Sequence, residues 1–81
     1  MTFTVVYDWP ARATLLDWTH WRIGTEIDAA VIQFAATRAP TIGGTIERAS
    51  AYHLRAAGHS IVLAVDRDAR VVTVLRIYRG R

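Results

Sequence analysis

Hydrophobic and polar positions alternate from the start of the chain. Phe3, Val5 and Tyr7 fall on one side of Thr2–Tyr7 and Thr4 and Val6 on the other, the period-two pattern of a half-buried strand. Asp8 then offers a side-chain acceptor just ahead of Pro10, whose fixed φ suits a first helical turn, so a helix is predicted to begin here. Leu15, Leu16 and Trp18 give it an apolar stripe. Because glycine costs about 1 kcal/mol relative to alanine in a helix interior, Gly24 places a break between Thr19 and Thr25. Thr25 with Asp28 three positions on is similar to a capping box, and Ile27, Ala30, Val31 and Phe34 follow at helical spacing. A second helix is thus predicted from about Glu26 to Thr37, and Pro40, Gly43 and Gly44 mark a connector before Ile46.

From Tyr52 to Arg81 the period changes. The runs Ile61–Val65 and Val71–Ile77 are short, apolar and β-branched, and they are bounded by an Ala57-Gly58 step and an Asp66-Arg67-Asp68 cluster. These are strand and tight-turn signals, and connections this short make three strands an antiparallel meander. The predicted order is β-α-α-β-β-β. This is an α+β fold in which a helical hairpin packs on one face of a small, mainly antiparallel four-stranded sheet. Residues 1–81 form one domain.

Composition adds limits. A hydrophobic content of 52% with three Trp, three Tyr and two Phe is ample for a core, although a chain of this size buries only about 60–65% of its unfolded surface. No Cys is present, which excludes disulfides and thiolate metal sites. No apolar run approaches the roughly 20 residues of a membrane span, and no secretory leader pattern opens the chain. A soluble, cytoplasmic protein is expected.

The net charge of +3 is unevenly placed. Residues 1–40 sum to −1, whereas residues 41–81, with seven Arg against Glu47, Asp66 and Asp68, sum to +4. Arg in place of Lys fits GC-rich codon usage, but its clustering points to a polyanion or an acidic protein. Arg76, Arg79 and Arg81 individually read as the solvated end of a strand; together they suit an anionic partner. Trp9, Trp18 and Trp21 read as core rather than as base-stacking platforms. His20 reads as hairpin packing or surface, and His59 as a solvent-facing turn residue. Asp66 and Asp68 are turn formers. Ser60 has no positioned base and is no nucleophile candidate, and no glycine loop or His/Asp/Glu set has the spacing for phosphate or metal.

Taken as an ordered set, Phe3–Tyr7 with Ala11-Arg12 and Leu15, Ala29–Ala35, Tyr52-His53-Leu54-Arg55 with Gly58, Ile61–Val65 and Val71–Ile77 resembles the RelE/ParE toxin superfamily of type II toxin–antitoxin systems over nearly the whole chain. The resemblance implies a RelE-like fold neutralised by a small acidic antitoxin in a hetero-oligomer. One branch of the family cuts mRNA in the ribosomal A site without a metal or other cofactor; the other poisons DNA gyrase. In the first branch, basic residues on and just beyond the sheet hold phosphates while a 2′-hydroxyl attacks, a task suited to the planar, permanently charged Arg fork.

Carried over residue by residue, the resemblance makes Arg55, Arg79 and His53 catalytic candidates. His is also a residue type able to move protons near neutral pH. Arg48, His59, Arg76, Tyr78 and Arg81 are the RNA-binding candidates. Ser60 stands where the RNA-cutting branch has an arginine. Arg55 and Arg79 are expected to converge on the uncovered face of the sheet, with Tyr78 joining them only if the strand end curls inward. Three readings stay open: a ribosome-dependent endoribonuclease, a gyrase inhibitor, and a non-toxic relative that only binds an antitoxin.

Overall fold

The computed structural model describes residues 3–18, 20–41 and 51–79. Strand β1 (Thr4–Tyr7) is followed by α1 (Trp9–Ala13), which widens into a π-helical turn over Thr14–Trp18, and then by α2 (Trp21–Thr37) and a 3-10 turn (Ala39–Thr41). Strands β2 (Ala51–Ala56), β3 (His59–Asp66) and β4 (Val71–Arg79) complete one sheet in the order β1-β4-β3-β2. The meander is antiparallel, and β1 lies parallel to β4 with Thr4 opposite Val71 and Tyr7 opposite Val74. The expected α+β architecture is therefore present, with helices on one face. Gly43 and Gly44 of the expected connector lie outside the described residues.

Local chemistry accounts for the turns. Asp8 caps α1 by accepting from the Trp9 N–H at 2.9 Å, with Pro10 in the first turn. Between β2 and β3, Ala57 and Gly58 take φ of 52° and 74°, the left-handed pair that a two-residue hairpin requires to match strand twist. Asp66 Oδ1 accepts from the Ala69 N–H at 3.0 Å and holds the β3–β4 turn.

The core lies between α2 and the sheet. Ile27, Val31, Phe34 and Ala35 of α2 meet Ile61, Leu63 and Val65 of β3 and Val72, Val74 and Ile77 of β4, all buried, with Ala11 and Ala39 closing the ends. Phe3, Val5 and Tyr7 pack from β1, as their alternation predicts.

Three expectations need correction. Helix α2 begins at Trp21, not near Glu26: His20 Nδ1 accepts from the Arg22 N–H at 3.2 Å and serves as the cap. Thr25 is interior, donating its hydroxyl to the Trp21 carbonyl at 2.8 Å. Gly24 is tolerated there because it is buried against Leu15 of the preceding turn. Trp9 and Trp21 are exposed at 73% and 68%, and Leu16 is exposed too. With Leu15, Gly24, Thr25 and Asp28, Leu16 and Trp21 line a groove of about 450 Å³ on the helical side.

A methyl added at Gly24 would meet Leu15 Cδ1 at 3.5 Å, an ordinary contact. Gly24→Ala is therefore expected to raise stability by about 0.5–1 kcal/mol by restricting the unfolded chain, read as a higher urea midpoint at unchanged slope.

Tyr7 ties β1 to α2 by donating its hydroxyl to Asp28 Oδ1 at 2.5 Å. Burial first, then the hydrogen bond and charge of Asp28, push that hydroxyl well above the ordinary tyrosine range. Below about pH 10 the hydroxyl is protonated folded or unfolded, so its contribution is complete. Above that the unfolded chain gives up the proton first, and stability falls as pH climbs toward the folded pKa. Tyr7→Phe is expected to cost about 1–2 kcal/mol at neutral pH and to remove this part of the alkaline loss, measured by urea unfolding near neutrality and at about pH 11.

Candidate functional site

Strand register decides which side chains share a face, because directly opposed residues point the same way. On β3, Ile61, Leu63 and Val65 are buried under α2, so Ser60, Val62 and Ala64 face the other way. Arg55 pairs with Ser60 and Ser60 with Tyr78, making one row across the open face. His53 pairs with Val62 and Val62 with Arg76, making the next. Arg55, His53, Arg76 and Tyr78 are all exposed. Residues two strands apart are separated by about 10 Å of backbone, so long side chains on β2 and β4 can lean toward each other over the small Ser60.

The row containing Arg76 exists because β4 slips. The register runs from Val62 opposite Arg76 directly to Leu63 opposite Val74, leaving Leu75 without a partner. Unbroken alternation from Val72 and Val74 would carry Arg76 into the core and Ile77 out of it. A bulge reverses the phase, burying Ile77 and exposing Arg76, as the cost of sinking an unpaired guanidinium into an apolar layer demands. The slip coincides with the end of β1, whose last partner is Val74 and after which the Asp8 N–H donates to the Val74 carbonyl at 2.9 Å. Beyond it a cavity of about 370 Å³ opens beside β4, lined by Pro10, Thr14, Arg76, Ile77 and Tyr78.

The same reversal corrects the expectation for Arg79. It pairs with His59 on the side of Ile61 and Ile77, the face opposite Arg55, so Arg55 and Arg79 do not converge. His59 also departs from its expected role: it is half-buried, and its Nδ1–H donates to the Ala57 carbonyl at 2.9 Å, bracing the hairpin. Tyr78 reaches the open face through the register alone, with no inward curl of the strand. Arg48 and Arg81 lie outside the described residues. Neither the phase slip nor Tyr78's position was drawn from the sequence, although apolar positions at Val72, Val74 and Ile77 were the signal for both.

Electrostatically the site is one-sided. Among the described residues of the open face the only carboxylate is Asp66, six positions along β3 from Ser60, roughly 20 Å away. No cluster of three His, Cys, Asp or Glu with metal-binding geometry occurs among the described residues. No helix there is long and apolar enough to cross a membrane.

A mixed four-stranded sheet, sheathed by helices on one face and cationic on the other, defines a RelE-like toxin fold. No family model matches the sequence, and no curated relative does. The structure is similar to a chain of the toxin–antitoxin complex RelBE2 from Mycobacterium tuberculosis, covering 100% of both chains at a TM-score of 0.65 and 26% identity. This likeness supports a RelE-type toxin family for the chain.

Proposed function

We propose that this protein is the toxin of a toxin–antitoxin pair and that it cleaves ribosome-bound mRNA on the open face of its sheet. The observation that carries this reading is the gathering of Arg55, His53, Arg76 and Tyr78 around Ser60 with no carboxylate nearby on that face among the described residues. Guanidinium groups grip phosphate oxygens bidentately and stabilise charge that builds on them during transfer.

In the reaction, the 2′-oxygen of one nucleotide bonds to the adjacent phosphorus as the P–O5′ bond breaks. The products are a 2′,3′-cyclic phosphate and a 5′-hydroxyl. The 2′-hydroxyl proton passes to the His53 imidazole, and the departing 5′-oxygen takes a proton from water. Dependence on the 2′-hydroxyl restricts the reaction to RNA, and Tyr78 offers a ring on which a neighbouring base can stack.

The antitoxin supplies acidic side chains to Arg55 and Arg76 and so denies that face to RNA. An amphipathic segment of it also fits the apolar groove at Leu15, Leu16 and Trp21. The likeness to the RelBE2 complex supports such a partner.

Expression in bacteria followed by mapping of mRNA 5′ ends tests the reading. Codon-phased cuts that vanish with Arg55→Ala are expected; unbroken mRNA during growth arrest overturns it. One observation favours a second reading. Serine at position 60, where the RNA-cutting branch has arginine, fits a gyrase inhibitor, which DNA-damage signalling with intact mRNA would select.

A further inference from the structure

We propose that the solvent face of α2 is an interface between two copies of this chain, packed antiparallel about a two-fold axis at Thr25, with Arg22 of each copy entering the helical-side groove of the other to meet Asp28. The proposal goes beyond the RNA-cleaving reading and does not depend on it.

A surface helix ordinarily turns charged and polar side chains to water. Along the exposed side of α2, Trp21, Thr25, Ala29, Ile32 and Ala36 recur at helical spacing instead. Trp21 and Ile32 stand 68% and 53% exposed. The stripe runs for about 22 Å of helix axis and carries no charge of its own. The core does not use it, because α2 packs on the sheet through Ile27, Val31 and Phe34 from its other side.

Self-complementarity identifies the occupant. In an antiparallel pair with its axis at Thr25, positions equidistant from Thr25 face each other, as an isologous contact requires. Arg22 and Asp28 stand three residues before and after it, at opposite edges of the stripe, so two opposite-charge pairs form at once. Trp21 and Ala29 stand four residues before and after it, large against small, the combination that lets facing layers interdigitate.

The groove beside the stripe fits the same arrangement. Asp28 is the one charged group among its described lining residues. Tyr7 holds that carboxylate through Oδ1, and its second oxygen can accept from a guanidinium. The aliphatic stem of the incoming Arg22 covers Leu15 and Leu16 on the way. Within one copy the Arg22 guanidinium already lies 5.3 Å from the centroid of the Trp21 ring, so the charge and the aromatic that enter the second copy are side by side beforehand. Because α2 covers one face of the sheet, Arg55 and Arg76 on the open face of each copy stay outside the contact. The groove is also the place into which a segment of the antitoxin fits, so self-pairing and that segment compete.

A contact built on one helix face belongs with small, transient interfaces, and a dissociation constant on the order of 10–100 μM is expected. Sedimentation velocity of the full-length protein from about 1 to 300 μM spans that range, and the mass should rise from monomer toward dimer. Thr25→Arg sets two cations against each other on the axis and should weaken the dimer by at least about a hundredfold. Arg22→Glu, opposite Asp28 of the second copy, should weaken it by at least about tenfold. Arg67→Glu makes the same charge change at the exposed β3–β4 turn and should stay within about twofold. All three positions are exposed, and unchanged urea midpoints establish that the variants remain folded.

A cross-link gives an independent readout. The chain has no Cys, and Cα atoms on the axis between helices about 10 Å apart lie about 5–6 Å from each other, within reach of a disulfide. Mild oxidation should join Thr25→Cys into a covalent dimer and leave Arg67→Cys monomeric. Wild-type protein that stays monomeric across the concentration range overturns the inference and leaves the stripe to the antitoxin. A dimer indifferent to Thr25→Arg and Arg22→Glu, or Arg67→Cys cross-linking as readily as Thr25→Cys, overturns it as well. A dimer with these sensitivities that does not cut mRNA sustains the inference and removes the RNA-cleaving reading; cleavage by a strict monomer does the reverse.

Discussion

Replacing Arg55 by alanine is expected to reduce mRNA cleavage by about 10²–10³-fold, the usual consequence of deleting one fixed group that meets charge developing in a transition state. Arg55 is exposed on β2 opposite Ser60, and its partners in the row are neutral. Removing it therefore takes one positive charge from the face without leaving a buried group unsatisfied. Stability should stay within about 0.5 kcal/mol, so the urea midpoint hardly moves while cuts in mRNA disappear. Arg55→Lys keeps the charge but loses the fork, and an intermediate rate is expected. A variant that lost activity and stability together would instead place Arg55 among the groups that hold the sheet.

Leu63→Ala is expected to lower stability by about 2–4 kcal/mol. Leu63 is fully buried on β3 between Ile61 and Val65, under the α2 residues Ile27, Val31 and Phe34. A domain of this length has a total of roughly 4–12 kcal/mol at the per-residue average, so the change removes a large part of what holds it folded. Equilibrium urea denaturation checks the number, with Thr4→Ala on the exposed side of β1 as the control expected to change it by less than about 0.5 kcal/mol. Loss of toxicity in Leu63→Ala would then follow from loss of folded protein and not from loss of chemistry.

Much of the fold was readable from residues alone. The alternation of Phe3, Val5 and Tyr7 marked the buried face of β1, the Asp8 and Pro10 pair marked the start of α1, and the two turn clusters marked the meander, because these signals act within a few residues of chain. The start of α2 was not readable. Glycine's helix cost argued for a break near Gly24, but burial of Gly24 against Leu15 outweighs that local preference, and the imidazole of His20 supplies a cap that a search for Ser, Thr, Asp or Asn passes over. The tryptophans misled for a related reason: size and hydrophobicity favour burial, yet the small core fills with Ile, Leu, Val and Phe34 and leaves Trp9 and Trp21 outside.

For the candidate site the division runs along the same line. Residue types and order were enough to predict a cationic sheet, since charge and strand propensity are properties of the residues themselves, while the family resemblance named Arg55, Arg79 and His53 with Arg48, His59, Arg76, Tyr78 and Arg81 as candidates. Which cations share a face was a property of pairing between strands. A shift of one residue inverts every side chain beyond it, and the unpaired Leu75 made that shift, turning Arg76 and Tyr78 toward Arg55 and sending Arg79 to the far side. The packing of Ile77 into the core drove it, and only the assembled sheet contains that contact.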